Sequence, residues 1–158
     1  MKLNLGCGYK GLPGYINVDK YDTPVANIIY DLEDQNWPSH WPWKTNSVDE
    51  VIFEHSLEHM GETVDKFRHV MQQLYRVCKN NAIIKITVPH FRHDNFWHDP
   101  THVRVITPTT MKMLSKKRNN TLQTAETKLG LFWDIDFEVF HEENRNNEEF
   151  YIEMKAIK

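Results

Sequence analysis

The sequence predicts an α/β fold: a mostly parallel sheet that ends in an antiparallel hairpin. Three observations carry this. Short apolar runs each stop at a glycine or an acid. One long segment repeats its apolar residues at helical spacing, and two β-rich runs flank a polar turn at the end of the chain. Strands that alternate with helices and end in polar or glycine residues indicate parallel pairing, with the sheet covered on its faces.

The elements follow in order. Lys2 to Leu5 is a short apolar strand ending in glycines, Tyr15 to Val18 a second closed by Asp19, and Asn27 to Tyr30 a third closed by Asp31. An aromatic loop follows, with Trp37, Trp41 and Trp43 among prolines, and its expected role is packing. Val48 to Phe53 reads as a fourth strand ending near His55. From Gly61 to Cys78, residues Val64, Phe67, Val70, Met71, Leu74, Val77 and Cys78 form one apolar helix face. Asn80-Asn81 reads as the helix end, because asparagine tolerates a left-handed cap. Ala82 to Val88 is a fifth strand stopped by Pro89. Pro108 to Lys117 reads as a short helix opened by proline. Phe132 to Phe140 and Glu149 to Ile157, with Glu142 to Asn147 as turn material, form the hairpin.

Bulk properties bound the function. The 158 residues, 40% hydrophobic, fit one globular domain over 1–158. No apolar run approaches the roughly 20 residues of a membrane helix. The N-terminus turns at Gly6 too early for a signal peptide. Cys7 and Cys78 have neither disulfide nor zinc spacing, which suits a reducing, cytoplasmic setting. A net charge of −3 gives no general attraction to nucleic acid. Exposed sheet edges leave room for a homodimer.

Ligands of open parallel sheets bind at the carboxyl ends of the strands. Here those ends carry Gly6-Cys7-Gly8, Asp19 and Asp31. Glycines let a ligand approach the backbone. A carboxylate accepts both hydrogen bonds of a ribose diol, and a second accepts from an adenine amine. Gly6-Cys7-Gly8-Tyr9-Lys10-Gly11 also fits the dinucleotide pattern. That pattern needs a full helix and an acid about 20 residues on. Asp19 follows too soon, and Pro13-Gly14 interrupts the gap. A nucleoside ligand without a pyrophosphate is therefore favoured.

Leu3 to Gly8 resembles the first motif of class I S-adenosylmethionine-dependent methyltransferases, of the small type 11-like kind. Asn17-Val18-Asp19 resembles their ribose-binding acid, and Asp31-Leu32 their adenine-contacting pair. Ser47 to His59 is similar to their fourth strand and Leu-Glu-His segment, and Leu74 to Ala82 to the next helix-to-strand junction. The resemblance implies a Rossmann-like sheet of seven strands with helices on both faces, N-terminally reduced. It implies S-adenosylmethionine as cofactor, with Gly6, Cys7, Gly8, Asp19, Asp31, Leu32 and the backbone of His55 around it. The chain departs from the pattern in its short first crossover and in Asn4, where relatives carry an acid.

Residues His90 to Arg104 hold four histidines and follow the fifth strand, where this fold would hold the methyl acceptor. Three readings stand: acceptor-site groups, a metal site, or loop-fixing hydrogen bonds. The first is preferred, with His90, His98 and His102 as acceptor-site groups, one of them a base, and Arg104 holding an anionic group. No metal is expected, because no spacing matches a metal motif on one helix. Glu58 and His59 open the helix, where a structural role is at least as expected. The expected activity is methyl transfer to a small polar acceptor. The competing expectation is a reduced, non-catalytic module that binds a nucleoside or a partner.

Overall fold

The computed structural model describes residues 1–36, 40–121 and 126–158. Trp37 lies outside them. The strands are β1 (Lys2–Leu5), β2 (Ile16–Asp19), β3 (Ile28–Ile29), β4 (Val48–Glu54), β5 (Cys78–Pro89), β6 (Phe137–Arg145) and β7 (Glu149–Ala156). They form one sheet in the order β3-β2-β1-β4-β5-β7-β6. Strands β1 to β5 pair in parallel, and β7 runs antiparallel between β5 and β6. The chain builds outward from β1 to β3, then returns to place β4 on the other side of β1. A crevice opens at such a reversal, past the carboxyl ends of the strands.

Helix α1 (Val64–Val77) joins β4 to β5, and the short helix α2 (Asp94–His98) lies in the loop after β5. Helix α1 starts after the predicted Gly61, whose φ of +80° is not helical. The Thr63 side chain accepts from the Lys66 N–H and caps the first turn. Phe67, Val70, Met71, Leu74 and Val77 are buried on its inner face. Each such side chain contributes roughly 1.5–3 kcal/mol by leaving water. The helix passes straight into β5 at Cys78, which is already extended. Asn81 keeps its left-handed φ of 62° inside β5, where the register against β4 shifts between Val48 and Glu50. It therefore marks a bulge and not the predicted helix end.

The predicted Pro108–Lys117 helix is two pieces, α3 (Pro108–Lys112) and α4 (Lys116–Thr121). The Thr107 hydroxyl caps α3 by accepting from the Thr110 N–H. A short helix α5 (Leu129–Phe132) and a left-handed Asp134 precede β6, so this strand starts at Phe137 and not at Phe132. The hairpin turn is tighter than the sequence implies. Asn146 and Asn147 have φ of 57° and 59°, and the Glu148 N–H donates to the Arg145 carbonyl at 2.9 Å. Paired positive φ matches the right-handed twist of the flanking strands, and asparagine tolerates it.

The sheet has one apolar and one polar face. Leu3, Leu5, Val51, Phe53, Ile84, Ile86, Val88, Phe150, Ile152 and Met154 are buried in one core with the inner face of α1. Trp133, just after α5, packs edge-on against Phe67 of α1, and Met111 of α3 joins the same core. The alternate residues face the other way and pair with each other. Glu50 accepts from Lys85 and Tyr15 and pairs with Lys2, Thr87 donates to Glu54, and Lys155 pairs with Glu138. Cover by helices on both faces, the expectation from the strand–helix alternation, is thus found on one face among the described residues. The physical reason is crossover length: Gly6 to Tyr15 and Lys20 to Asn27 connect β1, β2 and β3 by loops that hold no helix.

The aromatic loop takes part in the core. Trp41 and Trp43 are buried edge to face, with centroids 5.8 Å apart. The Trp41 indole N–H donates to the Leu32 carbonyl at 3.0 Å. Arg76 of α1 donates to the carbonyls of Trp41 and Trp43, which ties the loop to the helix layer.

Candidate functional site

The turn after β1 is locked to the end of β2. The N–H groups of Gly6 and Cys7 both donate to the Val18 carbonyl, at 2.9 and 3.0 Å. Gly6 has φ of 69°, and a Cβ there would lie 2.5 Å from the Ser56 Cβ. Only glycine fits that turn. The Ser56 hydroxyl donates to the Leu5 carbonyl at 2.8 Å and fixes this wall.

Asp19 closes the opposite side. One carboxylate oxygen accepts from the Gly8 N–H at 2.8 Å, and the other from the Tyr21 N–H at 3.0 Å. These bonds fix the carboxylate plane and leave acceptor capacity on both oxygens. Asp31 begins the next loop and accepts from the Glu33 N–H at 2.9 Å. Glu33 in turn accepts from the Gly61 N–H at 2.8 Å.

These groups line a cleft of about 700 Å³ at the carboxyl ends of β1, β2 and β4. Gly6, Gly8, Asp19, Asp31, Leu32 and His55 all border it. Cys7 does not. It is buried behind the turn, where desolvation and the nearby Asp19 charge push its thiol pKa up. The cleft also has walls that the sequence did not single out: Tyr9, Tyr21, Ser56, Met60, Thr101 and Val103. Ser56 and Met60 flank Glu58, so the Leu57-Glu58-His59 segment itself was the available signal.

A second, polar cavity of about 320 Å³ adjoins the cleft and shares His55 and His59 with it. Glu58, Pro89, Asn95, Asp99, His102, Glu148 and Glu149 complete its lining. His55 sits between the two in a left-handed conformation, φ 50°. Its ring lies 3.6 Å from the Glu58 carboxylate and 3.1 Å from that of Glu149. Glu58 raises the His55 pKa against the opposing effect of burial, and Glu54 and Glu149 add to the rise.

Of the three predicted catalytic residues, the structure brings His102 alone to this cavity. His102 Nδ1 lies 2.8 Å from the Phe96 carbonyl, so it carries the proton and donates. The second ring nitrogen is left to the cavity. His90 is buried against Phe91 and Phe150, and its Nδ1 accepts from the Arg92 N–H at 3.0 Å. Burial lowers its pKa. Arg104 donates to the Gly61 carbonyl and lies over the Phe67 ring, 4.5 Å from its centroid. His90 and Arg104 fasten the loop, and neither lines either of these two cavities.

No family model matches the chain, and no curated protein matches it. Solved structures do. A methyltransferase dependent on S-adenosylmethionine from Archaeoglobus fulgidus superposes with a TM-score of 0.61 at 18% identity, covering 98% of this chain and 85% of that one. The fold is that of S-adenosylmethionine-dependent methyltransferases. A chain of the Haloferax volcanii complex between the Trm112 methyltransferase activator and a methyltransferase matches this methyltransferase fold with a TM-score of 0.62 at 12% identity, covering 99% and 82% of the two chains. The 4+2 cyclase SpnF matches it with a TM-score of 0.61 at 12% identity, covering 99% and 75%.

Proposed function

We propose that this protein binds S-adenosylmethionine in the cleft and transfers its methyl group to a small polar acceptor. The observation that carries the reading is the convergence of the Gly6–Gly8 turn, Asp19 and Asp31 on one cleft at the strand-order reversal of a methyltransferase fold. Bound there, the cofactor supplies a methyl group on a sulfonium centre. The residues fit such a molecule. Asp19, held by two N–H groups, presents acceptors for a ribose diol. Asp31 and Leu32 stand at the third strand end, where the adenine belongs. Gly6 and Gly8 leave bare backbone toward the methionine part.

The acceptor belongs in the polar cavity beside His55 and His102. Its walls position the nucleophile, and positioning is the larger part of catalysis in a displacement of this kind. A hydroxyl or amine acceptor also loses a proton, and the cavity offers imidazoles to take it. Imidazoles and carboxylates suit a polar metabolite and not an apolar one. The test is to incubate the full chain with S-adenosylmethionine and a panel of hydroxyl-, amine- and carboxylate-bearing small molecules, and to measure S-adenosylhomocysteine. Formation that depends on one acceptor class supports the reading. No product with any acceptor, despite saturable cofactor binding, favours the second reading.

That second reading is a non-catalytic module that binds a nucleoside or a partner in the same cleft. The loop-fastening roles of His90 and Arg104 favour it, since they remove two candidate catalytic groups.

A further inference from the structure

Glu58 is a buried carboxylate with no hydrogen bond. Its side chain is 1% exposed, and neither oxygen has a hydrogen-bond partner. Its backbone carbonyl is occupied, accepting from the Val103 and Arg104 N–H groups. The carboxylate instead faces imidazoles: His55 at 3.6 Å and His102 at 4.0 Å. A buried carboxylate that accepts no hydrogen bond is costly even beside imidazoles, and such groups are normally hydrogen-bonded, protonated or bound to a metal ion.

The surrounding histidines are set for the last case. One donor atom each from Glu58, His59 and His102 lies within 4.8 Å of the others. His102 gives its Nδ1 proton to the Phe96 carbonyl at 2.8 Å. The Thr101 hydroxyl donates to Asp99 at 2.6 Å, so at 2.9 Å it accepts from His59 Nδ1. Both rings are therefore held in the tautomer that leaves Nε2 as a lone pair. Metal-ligating histidines carry this outer hydrogen bond almost without exception, because it fixes the ring and raises its basicity. A free oxygen of Asp99 stands 3.8 Å from His102 Nε2 and adds negative charge.

We propose that Glu58, His59 and His102 form a binding site for a divalent transition-metal ion, with open coordination positions toward the polar cavity. Two imidazoles and one carboxylate make a borderline donor set that suits zinc and its neighbours, and not magnesium or calcium. His59 borders both cavities, so an oxygen ligand held on the ion would stand between the acceptor space and the cofactor cleft. The two-cavity arrangement would then serve any substrate hydroxyl that needs its proton loosened. This inference is independent of cofactor binding, and either can fail without the other.

The test is a metal titration of the full chain, without a polyhistidine tag and after chelator treatment, by calorimetry with zinc and by visible absorption with cobalt. One equivalent should bind, with the strong cobalt absorption of a low-coordinate site. Glu58→Gln and His102→Gln should each weaken zinc binding by roughly a hundredfold, while His141→Gln, on exposed β6, should leave it unchanged. Circular dichroism checks that each variant folds; if Glu58→Gln does not, His59→Gln carries the comparison. No saturable binding by the wild type, or equal affinity in the folded variants, overturns the site.

Discussion

The Gly8 N–H donates to the Asp19 carboxylate at 2.8 Å, joining the glycine turn after β1 to the end of β2. The residue that would hold a ribose is thereby also the residue that shapes the turn. Asp19→Ala leaves the Gly8 and Tyr21 N–H groups without their acceptor. Loss of the two bonds should lower unfolding stability by about 1–3 kcal/mol, less where water replaces the carboxylate. Urea denaturation followed by circular dichroism measures this.

Gly6→Ala should cost more. The added Cβ meets the Ser56 Cβ at 2.5 Å, and φ of 69° disfavours any L side chain. The expected loss is on the order of 2–4 kcal/mol. The double variant with Ser56→Gly should recover the steric part and leave the backbone part, about 1–2 kcal/mol. No recovery in the double variant would show that contact with Ser56 is not the cause.

The open face of the sheet predicts an acid-sensitive step. Burial pushes the Glu50 carboxyl upward, but hydrogen bonds from Lys2, Lys85 and Tyr15 outweigh it and hold the pKa at about 2. A folded pKa below the unfolded value stabilises the protein above about pH 4.5, and that stability is lost as pH falls toward 2. Lys2 is half exposed, so the contribution is screened to on the order of 2 kcal/mol. Glu50→Gln should flatten the stability–pH curve between pH 4.5 and 2 while lowering stability at pH 7. A curve with the wild-type slope would refute the role of Glu50.

Arg104→Ala should act on stability and not on ligand affinity. The guanidinium holds the Gly61 carbonyl and covers Phe67, and the pocket linings do not include it. A loss of roughly 2 kcal/mol in denaturation, with cofactor affinity kept within about twofold, is expected. A large affinity loss at unchanged stability would contradict this purely structural role.

Much of the lining of the larger cleft was legible because its determinants are local. An apolar run ending in Gly6-Cys7-Gly8, and acids at the next two strand ends, are features of adjacent residues. The inward side of Cys7 was not legible, since a turn residue points either way until its neighbours are placed. The burial of His90 was not legible, because what covers it is Phe150, 60 positions away across the β5–β7 pairing. Glu58 and His102 meet only because β5 and the loop after it bring residues 44 positions apart into one cavity. The uncovered face had a signal that went unused. Lys2 and Asn4, Glu50 and Glu54, Lys85 and Thr87, and Tyr151, Glu153 and Lys155 alternate with the core residues as on a sheet wetted on one side.

Calorimetric titration of the full chain with S-adenosylhomocysteine, beside the Asp19→Ala variant checked for folding, bears most directly on the cleft. One site should saturate in the wild type, and the variant should bind on the order of a hundredfold more weakly, since two charge-assisted bonds to the ribose are lost. Absence of binding at millimolar ligand with folded wild-type protein, or equal affinity in the folded variant, would contradict the assignment.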